Sequence, residues 1–237
     1  TLIPKTDGNS RSGQHDVRAT IALGGITQGV TNMQLTGAYA AIANGGTYTE
    51  PVLYTRILDN DGQVIIDNTP ETHRVLQEST AFLLTDAMRD SMKDSRLFGM
   101  TISSSSDEAM PSNITAAGKS GTTTSYNDLW FVGYTPYYTM GIWSGFDDNA
   151  KFDSDDNRNF HKTMWKTIME KITEGKAAID FNQPDDIVTA KICNKSGKLA
   201  TKACSADPRD GIVSEEYFKS GTEPTEYCDL HTSYEVC

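Results

Sequence analysis

Long apolar runs are missing from this chain. No stretch approaches the ~18 apolar residues that would span a bilayer, and no signal peptide is visible at the start. Basic residues are in deficit, 21 Lys and Arg against 32 Asp and Glu, for a net charge of −11. Phosphate contacts need a basic face, so a nucleic-acid partner is excluded, and the acidity reads as a well-solvated surface. Cysteine is absent before Cys193. The familiar nucleophile signatures are absent too: there is no Gly-x-Ser-x-Gly and no Ser-x-x-Lys. No Gly stands where a Walker loop would need one before Lys119. The chain opens on Thr1 and not on Met. A processed or excised piece is expected, with any export signal or anchor upstream.

What is present suits a globular fold. The 237 residues are 37% hydrophobic and 9% aromatic, enough for one large domain, or one domain with an appendage. Thr31-Asn32-Met33-Gln34 has the form of a capping box, and Leu35, Ala38 and Ile42 recur at helical spacing, so a helix is predicted over 32–43. Asn44-Gly45-Gly46 should stop it. A strand over 48–57 and a second at 64–66 flank Asp59-Asn60-Asp61-Gly62, a hairpin signal. Ser79 can cap a helix over 80–93, with Leu84, Ala87, Met88, Ser91 and Met92 on its inner face. Strands follow at 114–120, 129–134 and 138–143, with Gly141 and Gly145 marking close backbone approaches. A helix over 160–174 should bury Met164, Trp165, Ile168, Met169 and Ile172. Serines 103–106 read as a low-complexity loop. Asp153-Ser154-Asp155 lacks the Gly and Glu that a calcium loop requires. The pattern predicts an α+β fold, an antiparallel sheet flanked by helices.

From 176 the composition shifts to Pro, Cys and Gly-rich turns, which reads as an irregular Cys-containing C-terminal tail with a short strand near 187–193. The domain reading is therefore 1–175 and 176–237. Cys193, Cys204, Cys228 and Cys237 are separated by ten, twenty-three and eight residues. Those spacings do not match the short Cys-x-x-Cys pairs of zinc sites, and no His stands in a ligand-like register with them. Disulfides in an oxidising compartment are favoured over a metal. Cys193–Cys204 and Cys228–Cys237 would be the simplest pairing, although Cys237 could be free.

The chemistry concentrates at Gly118-Lys119-Ser120-Gly121-Thr122-Thr123-Thr124. A Lys at a strand end is ordinarily a solvated charge. Here Gly121 lets a ligand approach the backbone, and Ser120, Thr122 and Thr123 supply hydroxyls. An edge strand of this kind can bind a carboxylate and polarise a carbonyl. His15, His73, His161 and His231 are scattered and lack a nucleophilic signature nearby. Trp130, Phe131 and Tyr134 read as core.

Four segments in order carry a resemblance: Ala22-Leu23-Gly24-Gly25-Ile26-Thr27-Gln28-Gly29-Val30-Thr31, Ala38-Tyr39-Ala40-Ala41-Ile42-Ala43-Asn44-Gly45-Gly46, Gly118-Lys119-Ser120-Gly121-Thr122-Thr123, and Asp128-Leu129-Trp130-Phe131-Val132-Gly133-Tyr134-Thr135-Pro136. Over about 20–175 the chain resembles the transpeptidase domain of class A penicillin-binding proteins, whose motifs are Ser-x-x-Lys, a Ser-Asn triplet and Lys-Thr-Gly. The tail, with Cys193, Cys204 and Cys228, resembles C-terminal extensions of Gram-positive members. The third motif reads Lys-Ser-Gly here, and the first two are missing ahead of it; Ser125-Tyr126-Asn127 has the form Ser-x-Asn but follows the Lys-Ser-Gly strand and reads as turn material.

The resemblance implies a serine D,D-transpeptidase that cross-links peptidoglycan stem peptides on lipid-linked glycan strands, is trapped by β-lactams, and needs no metal or cofactor. The resemblance places such an enzyme at the extracytoplasmic face of the membrane. It also implies an upstream segment bearing the Ser-x-x-Lys and Ser-x-Asn motifs, with a glycosyltransferase and an anchor. Lys119, Ser120, Gly121 and Thr122 would be its catalytic strand, and Thr123 and Thr124 would line the acceptor side. A hydrolytic relative (carboxypeptidase or β-lactamase) and a non-catalytic binding module are the alternatives.

Overall fold

Helix α1 (Asn32–Ala43) starts as its sequence dictates. In the computed structural model, Thr31 Oγ1 accepts from the Gln34 N–H at 3.2 Å, and Gln34 Oε1 accepts from the Thr31 N–H at 3.0 Å. The helix ends at Asn44, and Gly45 and Gly46 follow at φ of 59° and 89°. A Cβ on Gly46 would collide with the Leu76 carbonyl, so only glycine fits. The structure describes residues 15–17, 19–27, 29–93, 96–97, 100–101, 107–152, 158–209 and 211–232. The serines at 103–106 and the acidic run at 153–155 lie outside that set.

The strand expected over 48–57 is two strands, β1 (Thr47–Thr49) and β2 (Arg56–Leu58). Pro51 stands between them and cannot donate to a ladder. β2 pairs antiparallel with β3 (Val64–Asp67), and β1 pairs antiparallel with β4 (Thr72–Arg74). The turn between β2 and β3 is the predicted one. Asp59 Oδ1 accepts from the N–H groups of Asp61 (2.9 Å) and Gln63 (2.7 Å), and Gly62 sits at φ 79°.

Helix α2 (Glu78–Lys93) begins earlier than predicted, so Ser79 lies buried in its first turn instead of capping it. Its inner face is Ala81, Phe82, Thr85, Met88 and Met92, whereas Leu84 and Ala87 are exposed. Thr85 can stand inside because its hydroxyl is satisfied twice, donating to the Ala81 carbonyl at 2.8 Å and meeting the Tyr134 hydroxyl at 2.7 Å. A two-residue pair, β5 (Arg96–Leu97) and β6 (Met100–Thr101), follows.

The central sheet has the order β7 (Ala117–Thr122), β8 (Asp128–Tyr134), β9 (Thr139–Gly145), antiparallel throughout. β7 starts later than the predicted 114. The residue before that stretch is tied elsewhere: Asn113 Nδ2 donates to the Glu170 carbonyl and to Thr173 Oγ1, both at 3.2 Å. Gly141 lets α1 close on β9, since a Cβ there would overlap Thr36, and Asn32 Nδ2 reaches the Gly141 carbonyl at 3.1 Å.

Helix α3 (Phe160–Ile172) packs on the sheet through Trp165 and Met169, both fully buried, and Trp165 Nε1 donates to the Met140 carbonyl at 2.9 Å. Met164, Ile168 and Ile172, expected on the same face, are instead exposed. The apolar residues of α3 cover more of its circumference than one sheet contact can bury.

The tail is more regular than expected. β10 (Ile187–Cys193) and β11 (Val213–Lys219) form an antiparallel ribbon, with the short helix α4 (Lys202–Ser205) between them. The ribbon touches α2: Phe82 and Tyr217 meet edge to face at 5.2 Å, and Lys219 Nζ donates to Gln77 Oε1 at 2.9 Å. The architecture is α+β, with small antiparallel sheets and helices packed on them, as expected. No helix among the described residues is long and apolar enough to cross a membrane.

Candidate functional site

β7 is an edge strand of the central sheet, and it carries Lys119, Ser120, Gly121 and Thr122. Its root is tightly packed. A Cβ on Gly118 would meet Phe131 Cζ at 2.7 Å and the Val132 carbonyl oxygen at 3.0 Å. Ser91 of α2 donates to the Gly118 carbonyl at 3.3 Å. Beyond Gly118 the strand opens to solvent: the Lys119 and Thr122 side chains are exposed, and Ser120 and Gly121 are half-buried.

Lys119 Nζ donates to its neighbour's carbonyl, Ser120 O, at 3.0 Å, and has no carboxylate partner among the described residues. Desolvation first, and the positive charge of Lys162 second, lower its pKa below the ordinary lysine value. Lys162 belongs to α3 and is itself paired with Glu108 at 3.3 Å. A cation held near a second cation without its own carboxylate favours an incoming anion.

Thr123 and Thr124 lie past the end of the strand. Thr123 Oγ1 accepts from the N–H groups of Asn127 and Asp128, each at 3.0 Å, so this hydroxyl shapes the β7–β8 turn. Thr124 is exposed in that turn. Sequence reasoning missed Lys162, since nothing in a linear motif ties a residue of α3 to β7. It also treated His161 as one of several scattered histidines. His161 is fully buried, its ring nitrogens make no well-formed hydrogen bond, and burial followed by the Lys162 charge pushes its pKa down to about 4.

A second constellation sits in the tail. Cys193, Cys204 and Cys228 are free thiols, all buried, which corrects the expected Cys193–Cys204 disulfide. The expected Cys228–Cys237 pair has its second member outside the described residues. The sulfur atoms of Cys193 and Cys228 are 3.5 Å apart, far beyond the ~2.0 Å of a disulfide. His231, judged out of register from the sequence, points Nδ1 at all three: 3.4 Å from Cys193 Sγ, 3.5 Å from Cys204 Sγ and 3.3 Å from Cys228 Sγ. The four donor atoms lie within 4.8 Å of one another. The overlooked signal was Cys228-Asp229-Leu230-His231, a Cys-x-x-His pair that a search for Cys-x-x-Cys passes over.

Comparison with known proteins bears on both regions. Residues 4–170 match the family described as the penicillin binding protein transpeptidase domain. Residues 183–233 match the penicillin-binding protein 1A C-terminal domain. Penicillin-binding protein 1A of Clostridium botulinum (strain Langeland) is 32% identical over 225 residues, covering 94% of this chain and 26% of that protein. Penicillin-binding protein 2D of Bacillus subtilis is 34% identical over 209 residues, 88% of this chain and 29% of that protein. The chain thus spans about a quarter of the length of these relatives. The crystal structure of penicillin-binding protein 1A from Haemophilus influenzae superposes with a TM-score of 0.71 at 24% identity, over 91% of this chain and 35% of that one, which shows the same fold. A transpeptidase family model that covers most of the chain, on a fold of the same kind, establishes that this chain belongs to the penicillin-binding protein transpeptidase family.

Proposed function

We propose that this chain is the C-terminal part of a D,D-transpeptidase that cross-links peptidoglycan stem peptides through an acyl-serine enzyme. The observation that carries the reading is Lys119. It stands on an exposed edge strand, beside hydroxyls and a glycine, with no carboxylate partner among the described residues. In this reading Lys119 attracts the carboxylate of the D-Ala-D-Ala donor, and Ser120 and Thr122 donate hydrogen bonds to it. The Thr122 N–H supplies half of an oxyanion hole. Gly121 leaves room for the peptide to lie along the strand. Thr123 and Thr124 stand at the acceptor end.

A serine in an upstream segment, with its Ser-x-x-Lys lysine and a Ser-x-Asn triplet, completes the site. Its Oγ attacks the penultimate D-Ala carbonyl, terminal D-Ala leaves, and the acyl group passes to an amine of a neighbouring strand. A β-lactam takes the donor's place and stays attached. The exposed apolar stripe of Met164, Ile168 and Ile172 on α3 supports a missing partner segment, because such a stripe is normally covered. We also place the division between transpeptidase portion and C-terminal extension near residue 175, in keeping with family matches that end at 170 and resume at 183. The extracytoplasmic location, the membrane anchor and the glycosyltransferase belong to this proposal as well, and the greater length of the 1A relatives leaves room for them.

The test is covalent labelling of the protein, upstream sequence included, with a tagged penicillin. A stable adduct on a serine outside these 237 residues is the expected result. No adduct with the upstream sequence present overturns the reading and leaves a binding module. An adduct that hydrolyses within seconds points instead to a carboxypeptidase or β-lactamase.

A further inference from the structure

We infer that Cys193, Cys204, Cys228 and His231 form a structural zinc site that holds the C-terminal extension together. The assignment is independent of what β7 does. It begins with geometry. For zinc–sulfur bonds of about 2.3 Å and a zinc–nitrogen bond of about 2.0 Å, a tetrahedron places sulfurs about 3.8 Å apart and sulfur about 3.5 Å from nitrogen. Here the Cys193 and Cys228 sulfurs are 3.5 Å apart, and His231 Nδ1 lies 3.3 to 3.5 Å from the three sulfurs. The donors thus already stand close to the corners of such a polyhedron. Three cysteines serving only to form a disulfide and leave one thiol over would have no reason to place a ring nitrogen at nearly equal distance from each sulfur.

The surroundings of His231 point the same way. Its second nitrogen, Nε2, faces Asp207 Oδ2 at 3.3 Å. Asp207 is held in turn by Arg209, through Nε at 2.8 Å and Nη2 at 2.6 Å. A proton kept on Nε2 by the carboxylate leaves the Nδ1 lone pair directed at the sulfurs, the carboxylate–histidine arrangement that orients imidazole ligands on zinc.

The ligands come from separate pieces of backbone. Cys193 ends β10 and opens a turn in which the Gly197 N–H donates to the Cys193 carbonyl at 2.8 Å. Cys204 lies in α4. The Cys228 N–H donates to the Leu199 carbonyl at 2.8 Å, which brings in the C-terminal segment. Among the described residues, the three cysteines pack with one further buried apolar residue, Ile212, and with the partly buried Ala200 and Val213. So small a core does not hold three segments in place unaided, and a metal cross-link is one of the few devices that does. Three thiolates and one imidazole are soft and borderline donors in fourfold arrangement, which selects zinc over the harder divalent ions. All four positions are filled by protein, so the ion binds the fold and leaves no open position for a substrate.

The experiment is a metal analysis of the full chain, produced with zinc in the medium and purified without chelator under mild reduction. About one zinc per chain is expected, with thiols unreactive to alkylation until a chelator is added. Cobalt substitution should give thiolate charge-transfer absorption in the near ultraviolet and the strong visible bands of a tetrahedral ion. Chelation should lower the melting temperature of the extension. His231→Ala and Cys204→Ser should abolish stoichiometric binding. If either fails to fold, Asp207→Asn, which removes no ligand, should still weaken zinc binding roughly 10- to 100-fold. Metal-free protein whose three thiols alkylate freely, or a disulfide at Cys193, Cys204 or Cys228 in zinc-supplied protein, would overturn the assignment.

Discussion

Phe131 and Trp165 meet edge to face, with ring centroids 5.1 Å apart and planes at 70°. Both are fully buried, one on the middle strand of the central sheet and the other on α3. Phe131 is the register partner of Ser120 across β7–β8. The pair therefore sets the depth of the strand against which Lys119 and its neighbours are aligned. Trp165→Ala should leave a cavity and cost about 3–5 kcal/mol in a urea titration of the folded protein. A loss under 1 kcal/mol would mean that α3 does not anchor the sheet.

Gly118 gives a second test of the same alignment. A methyl group there would press on Phe131 Cζ and on the Val132 carbonyl, and the carbonyl cannot yield. Gly118→Ala should therefore push β7 away from β8, lifting Lys119 and Ser120 out of register. We expect about 1–3 kcal/mol of destabilisation from overpacking, and slower penicillin acylation of the complete protein. Gly121→Ala makes the instructive comparison, because its Cβ would sit 3.3 Å from the Trp130 Cβ and needs only a small adjustment. Equal stability losses in the two variants would contradict the packing described for the root of β7.

Lys119→Ala in the complete protein should slow acylation by about 100-fold, the equivalent of losing ~3 kcal/mol of electrostatic stabilisation of the transition state. The lowered pKa adds a pH signature. Burial and the Lys162 charge make Lys119 lose its proton below the ordinary lysine pKa. The charge with which Lys119 is proposed to hold a carboxylate is present below that lowered value and disappears above it. The alkaline limb of acylation should begin at a lower pH than a free lysine would give, and removing the neighbouring charge with Lys162→Met should move it upward. A limb unmoved by Lys162→Met would separate Lys119 from that titration.

The regular elements were legible because their signals are local. The Thr31–Gln34 capping box, the Asp59–Gly62 turn and the strands around the Thr135-Pro136-Tyr137 turn each lie within a few residues of chain, and all are present. What failed depended on neighbours distant in sequence. Leu84, expected on the inner face of α2, is exposed, whereas Thr85 is buried there with Tyr134 as a partner for its hydroxyl. Met164 and Ile168 are as apolar as Trp165, and only the position of the sheet decides which of them is buried. The edge strand with Lys119 was legible as a motif, whereas the influence of Lys162 on it was not, since β7 and α3 meet only in the fold. The thiol cluster was misread for a similar reason. Three of its four donors are far apart in sequence, and only Cys228 and His231 share a short spacing.

His161 carries the last prediction. It is buried on α3 with its ring nitrogens lacking well-formed hydrogen bonds, and its pKa is pushed down to about 4 by burial and by Lys162, against a smaller opposing pull from the Trp130 backbone. In the unfolded chain the same imidazole titrates at the ordinary value, about 6.5. Between these values the unfolded chain holds a proton that the folded chain does not, so stability rises with pH across the window and is lost as pH falls. By pH 4.5 the loss attributable to His161 should reach about 2 kcal/mol. His161→Leu keeps the site filled and removes the titration. Urea unfolding at pH 7 and pH 4.5 should therefore show a smaller acid-induced loss in the variant than in the parent. If both lose the same amount, the acid sensitivity belongs to other groups and His161 is already protonated in the fold or exposed to solvent.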